Sequence, residues 1–94
     1  MNNLRITFRT HAFQRMFERG IAASDVERVV SVGEVVEDYP NDLPYPSRLV
    51  LGWIGKQPLH VVAADNTDDN ELIIVTVYEP DPLRWDGDFR RRNV

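Results

Sequence analysis

Apolar residues recur along this chain with two spacings, and the change from one to the other near residue 33 divides it. Residues 4–8, LRITF, alternate apolar and polar side chains, the pattern of a short strand or an extended arm. From Thr10, a plausible N-cap, the spacing becomes helical. Ala12, Phe13, Met16 and Phe17 fall on one face, and Gly20 supplies a stop. Ser24 and Glu27 have the capping-box spacing for a second helix, whose buried stripe is Val26, Val29 and Val30 and whose end is Gly33.

Four runs rich in β-branched and aromatic residues then follow: EVVEDY, RLVLGWIG, PLHVVAAD and ELIIVTVYE. The short connections at 55–58 and 66–70 predict hairpins, so strands two, three and four should be antiparallel neighbours. Three prolines in PNDLPYPS make a stiff loop between the first two strands. In the last strand Ile73, Val75 and Val77 should share one face and Leu72, Ile74, Thr76 and Tyr78 the other. Both faces are therefore largely apolar, and helices can cover only one. The other should meet the C-terminal segment, with Trp85 as its anchor, or another subunit, or stay as an unusually apolar open surface. The expected fold is α+β, two N-terminal helices packed on a four-stranded antiparallel sheet (αα-ββββ) with a C-terminal arm, in a single domain over residues 1–94.

Charge alters this picture of a plain globular domain. The net charge is −4, which argues against a nucleic-acid partner until the charges are located. Residues 1–20 hold four arginines against one acid, and residues 84–94 four against two. Residues 21–83 carry twelve acids against three bases. If the ends meet, an acidic chain has a basic patch. Ten of the eleven cations are arginine, whose planar fork grips phosphate or carboxylate through two hydrogen bonds and keeps its charge. The absence of cysteine excludes disulfides and thiolate zinc sites. No apolar run is long enough to span a membrane and the first residues have no signal-peptide character, so a cytoplasmic protein is expected.

The candidate chemistry lies on the first helix and in the third strand. His11, Arg15, Glu18 and Arg19 share the helical face opposite the phenylalanines. His60 interrupts an apolar strand, where it is either a satisfied structural histidine or an acid–base group. Two imidazoles with guanidinium groups suffice in principle to cleave RNA without metal. One takes the 2′-hydroxyl proton, the other protonates the leaving 5′-oxygen, and arginine stabilises the phosphorane. Glu18 and Tyr78 are substitutes for either histidine. Arg90, Arg91 and Arg92 are either an electrostatic footprint for nucleic acid such as RNA or a disordered soluble tail. DNTDDNE lacks the glycine of a calcium loop and reads as a turn. No phosphate-binding glycine loop or metal helix is present, so neither cofactor nor metal is implied.

The strings HAFQRMFERGIAASDVERVVSVGEVVEDY, PSRLVLG, PLHVV and IIVTVYEPDPLRWDGDFRRR resemble a bacterial family of small domains of unknown function with an N-terminal His-Ala-x-x-Arg-Met-x-x-Arg-Gly-Ile pattern. The pattern is met here by His11, Ala12, Arg15, Met16, Arg19, Gly20 and Ile21. The resemblance implies a fold similar to RelE-like and BrnT-like toxins, which are mRNA interferases. It carries over His11, Arg15, Arg19 and His60 as site residues and Arg90, Arg91 and Arg92 as RNA contacts. The expected function is a toxin-type, metal-independent endoribonuclease. Its partners would be RNA or the ribosome and a cognate antitoxin protein. The alternative is a non-catalytic module that binds protein or RNA, with a homodimer as one form. Many such toxins are strongly basic, and this chain is acidic.

Overall fold

A computed structural model describes residues 4–93; residues 1–3 and 94 of the expected domain lie outside the described residues. The chain runs β1 Arg5–Phe8, α1 Thr10–Arg19, α2 Ala23–Val32, β2 Glu34–Tyr39, β3 Ser47–Ile54, β4 Gln57–Asn66 and β5 Glu71–Tyr78. The sheet has five strands in the order β1-β5-β4-β3-β2. Strands β2 to β5 are consecutive antiparallel neighbours, while β1 lies parallel to β5, from Arg5 opposite Glu71 to Phe8 opposite Ile74. The expected four-stranded antiparallel sheet is thus corrected to a five-stranded mixed one, within the same α+β class. Alternation over so few residues shows a strand's period but not its partner, and this partner is the last strand in the sequence.

The helices start differently from the prediction. The N-cap of α1 is Arg9, not Thr10, because the Arg9 N–H is held by the Ile74 carbonyl at 3.0 Å and prolongs the β1 ladder to the helix itself. The N-cap of α2 is Ala22 rather than Ser24. The Asp25 carboxylate, three residues on, accepts from the Ala22 N–H at 3.3 Å and reaches back as an N3 acid does. Gly20 ends α1 in the left-handed conformation at φ 66°, and the next N–H, that of Ile21, bonds the Met16 carbonyl at 2.9 Å. That closure turns Ile21 towards the core.

One face of the sheet is covered by the helices. Ala12 and Met16 of α1 and Val26 and Val29 of α2 pack on Val50, Leu59, Val61, Ala63, Leu72, Ile74 and Val77. Phe13 and Phe17, expected in this stripe, are 54% and 90% exposed. A ten-residue helix seated on β5 buries the narrow line of Ala12 and Met16, which leaves the two aromatic rings on its outer shoulder. α2 sits close on β3. A Cβ added to Gly52 would lie 2.5 Å from a Val29 methyl carbon, so only glycine admits the helix at this depth.

Two bulges set what the other face presents. In β5 the pairing steps from Val62–Thr76 to Ala63–Ile74, which leaves Val75 as an extra residue. Side-chain parity reverses there. Val77 joins Leu72 and Ile74 under the helices and Tyr78 turns to His60, which corrects the expected grouping of Val77 with Ile73. In β2 the extra residue is Val36, and Glu34 and Glu37 consequently both reach the C-terminal arm.

That arm, residues 80–93, covers much of the second face. Its anchor is Trp85, 3% exposed, whose ring stands edge-on to His60 at 4.5 Å. The arm closes on itself through a bridge between Trp85 and Arg92, an Asp86 N–H to Arg91 carbonyl bond of 2.9 Å, and an Asn93 N–H to Arg84 carbonyl bond of 2.7 Å. No helix among the described residues is long and apolar enough to cross a membrane.

Candidate functional site

Where α1 ends beside β5, the arm returns towards the sheet, and the three elements enclose a cleft of about 500 Å³. Arg15 and Arg19 enter it from α1, Arg84 and Arg92 from the arm, and Tyr78, Glu79 and Asp81 from the end of β5 and the residues after it. The two arginine-rich ends of the sequence therefore meet. Local pairing holds three of these four guanidinium groups. Arg19 lies 3.9 Å from Glu79, Arg84 is 4.0 Å from Asp81, and Arg92 bonds both Glu37 oxygens at 2.9 and 3.2 Å while standing 4.7 Å over the Trp85 ring. The Arg15 side chain has no ion pair or hydrogen bond among the described residues. The Arg19 and Arg84 pairs are long and solvent-exposed, and such pairs contribute about 0–1 kcal/mol, so a phosphate can displace them at little cost.

Arg92 is fixed more firmly. Its two bonds to Glu37 hold that carboxyl below the usual carboxylate range, and Tyr39 bonds the same carboxylate. The cation–π contact adds a further restraint. Its guanidinium therefore offers the cleft a positioned charge.

His60 lies beneath this cleft and is 0% exposed. Its Nε2 is 3.0 Å from the Phe89 carbonyl, and its Nδ1 is 3.2 Å from the Tyr78 hydroxyl. A carbonyl can only accept, so the ring proton sits on Nε2, and Nδ1 accepts from Tyr78. Burial lowers the His60 pKa, offset in part by the Phe89 carbonyl and Glu37, and burial raises that of Tyr78. The shifts diverge: the imidazole stays neutral and the phenol keeps its proton. His60 thus positions Tyr78 and the arm, and touches no solvent.

The other expected residues disperse. His11 is exposed on α1, one turn before Arg15, and does not line the cleft. It does not share a site with His60, which belongs to the face turned away from the helices. Glu18 lies on the outer side of α1 with Phe13, Gln14 and Phe17. Of the three consecutive arginines only Arg92 enters the cleft; Arg90 bonds Glu34 through Nε at 2.9 and 3.0 Å, and Arg91 is exposed. Sequence reasoning counts Arg84 in the basic C-terminal block without singling it out as a site residue, and misses Glu79 and Asp81. Their signal is the charged, proline-containing stretch after β5, which reads only as an arm anchored by Trp85. Among the described residues no cluster of histidine, aspartate and glutamate side chains suits a metal ion.

A family model described as a domain of unknown function, DUF4258, matches residues 8–79, well over half of the chain. Neither the curated proteins nor the solved structures include a match to it.

Proposed function

This chain belongs to the DUF4258 family of domains of unknown function, and from its own surface chemistry we propose that it binds RNA through the phosphodiester backbone. The observation that carries the reading is the convergence of Arg15, Arg19, Arg84 and Arg92 on one cleft of an otherwise acidic molecule. Guanidinium groups bind phosphate oxygens in pairs, and release of condensed counterions then supplies much of the affinity. Fluorescence anisotropy with a labelled single-stranded RNA tests it. Binding should weaken at least tenfold when salt rises from about 50 to about 200 mM. The double variant Arg15→Glu, Arg19→Glu should lose at least tenfold at low salt, whereas Arg28→Glu, on α2 and paired with Asp25, should bind as wild type. Wild-type protein that binds no RNA at low salt, or a double variant of undiminished affinity, overturns the proposal.

A toxin-type endoribonuclease is the second reading, and one observation favours it: Tyr78 lines the cleft, and its hydroxyl, bonded to His60 at rest, keeps its proton. In that reaction Glu79 accepts the 2′-hydroxyl proton, the 2′-oxygen attacks phosphorus, and the arginines stabilise the phosphorane. Tyr78 protonates the 5′-oxygen as the P–O5′ bond breaks, giving a 2′,3′-cyclic phosphate and a 5′-hydroxyl. Tyr78→Phe should then abolish cleavage in chelator while retaining RNA binding. Intact RNA after incubation with wild type, with or without ribosomes, ends this reading.

A further inference from the structure

A second concavity lies where β2 begins. Glu34 is the first β2 residue and pairs with Leu51, so β3 runs on through Gly52, Trp53 and Ile54 with no strand beside it on that edge. The close seating of α2 on Gly52 brings Val32 near, and a hollow of about 360 Å³ remains, walled by Val32 and Trp53 with Glu34 and Arg90 as its charged members. Val32 is 78% exposed and Trp53 43%, so two large apolar side chains face solvent together. Phe89 meets the Trp53 ring edge-on at 6.1 Å and steadies it. The hollow and the arginine cleft lie along one line. Glu34, Leu51, His60 and Tyr78 are successive partners across β2, β3, β4 and β5. Three strand spacings separate the two ends, about 14 Å, and the arm with its arginines runs between them. A few nucleotides of extended strand cover that span, within the site size of proteins that combine a basic track with aromatic stacking platforms.

We propose that this hollow takes a nucleobase of the bound RNA stacked on Trp53, with guanine preferred by the Glu34 carboxylate; the strand's continuity with the cleft rests on the RNA-backbone reading above. A carboxylate has about four acceptor positions. The Arg90 Nε donates to both Glu34 oxygens, at 2.9 and 3.0 Å, but the pair is solvent-exposed, so a base that offers two donors displaces it at little cost. Guanine alone among the four bases presents two adjacent N–H donors, at N1 and N2, to such a group. The indole supplies the face on which any base stacks.

Free nucleotide tests the hollow independently of the cleft when the titration is run in the Arg15→Glu, Arg19→Glu background, because Trp85 also lines the cleft and reports phosphate bound there. Indole fluorescence of the full chain, titrated with GMP, AMP, CMP and UMP, should be quenched saturably and at least fivefold more tightly by GMP. Trp53→Ala should abolish the response, and Glu34→Gln should remove the GMP preference while leaving quenching. Val32→Glu, an exposed substitution at the wall, should weaken GMP binding at least fivefold without the loss of a ring. In anisotropy Trp53→Ala should weaken binding of a guanine-containing single strand about tenfold and that of an all-uracil strand less. No saturable quenching by any nucleotide, or quenching that persists in Trp53→Ala, overturns the proposal. RNA binding that needs Arg15 and Arg19 but ignores Trp53 overturns the base pocket alone; saturable GMP binding in a protein that binds no RNA overturns the cleft alone.

Discussion

A histidine at position 60 uses both ring nitrogens within the protein, one donating to Phe89 and one accepting from Tyr78. Removing the ring leaves a hollow against Trp85 and strips two part-buried polar groups of their partner. His60→Ala should therefore cost about 3 kcal/mol, measured by denaturant unfolding. The pH dependence follows from the lowered His60 pKa. Below the ordinary value of 6.5 the unfolded chain gains a proton that the folded one resists, so stability from this group is full above pH 6.5 and falls as pH drops towards the lowered folded value. His60→Ala should lack that component below about pH 6.5; equal slopes in variant and wild type would count against a buried neutral ring. The apolar neighbours of His60 already suggested a structural histidine as one of two readings. What the sequence left hidden was the cover: no local pattern says that a carbonyl twenty-nine residues later will lie over the ring.

At the scale of the elements, the four later strand runs and both helices were legible because each has its own period, whereas LRITF reads equally as a strand or an extended arm and falls outside the expected sheet. Pairing and parity were less so. A bulge such as that at Val75 depends on the neighbouring strand, and one extra residue reverses every side chain beyond it. The exposure of Phe13 and Phe17 had a similar origin, since an apolar stripe can be wider than the surface it packs against. Gly52 gives the clearest test of how the elements meet. Gly52→Val must push α2 off β3, because Val29 already occupies the space. A loss of about 2–3 kcal/mol is expected from thermal or denaturant unfolding. Phe17→Ser, at a fully solvated ring, should change stability by less than about 0.5 kcal/mol.

For the whole molecule, the uneven distribution of charge along the sequence was the most informative reading. It placed cations at both ends, and the fold brings Arg15 and Arg19 together with Arg84 and Arg92. The sequence could not say which arginines would be neutralised locally. Glu34 and Glu37 capture Arg90 and Arg92 only because β2 bulges between them. The arm is also what closes the second face, and its hold depends on one large side chain. Trp85→Ala should lower stability by about 3–5 kcal/mol and release the arm, so trypsin should cleave at Arg84 and Arg90–Arg92 much faster than in wild type. Unchanged proteolysis at those arginines would show that the ion pairs alone secure it.

The edge position of β1 has a kinetic corollary. Among the described residues its only strand neighbour is β5, so during synthesis β1 has no strand to pair with until β5 has emerged some sixty residues later. A polypeptide stalled before β5 should thus show β2–β4 hairpins but an exchanging N-terminal segment, and maturation should finish in one late, long-range zippering event.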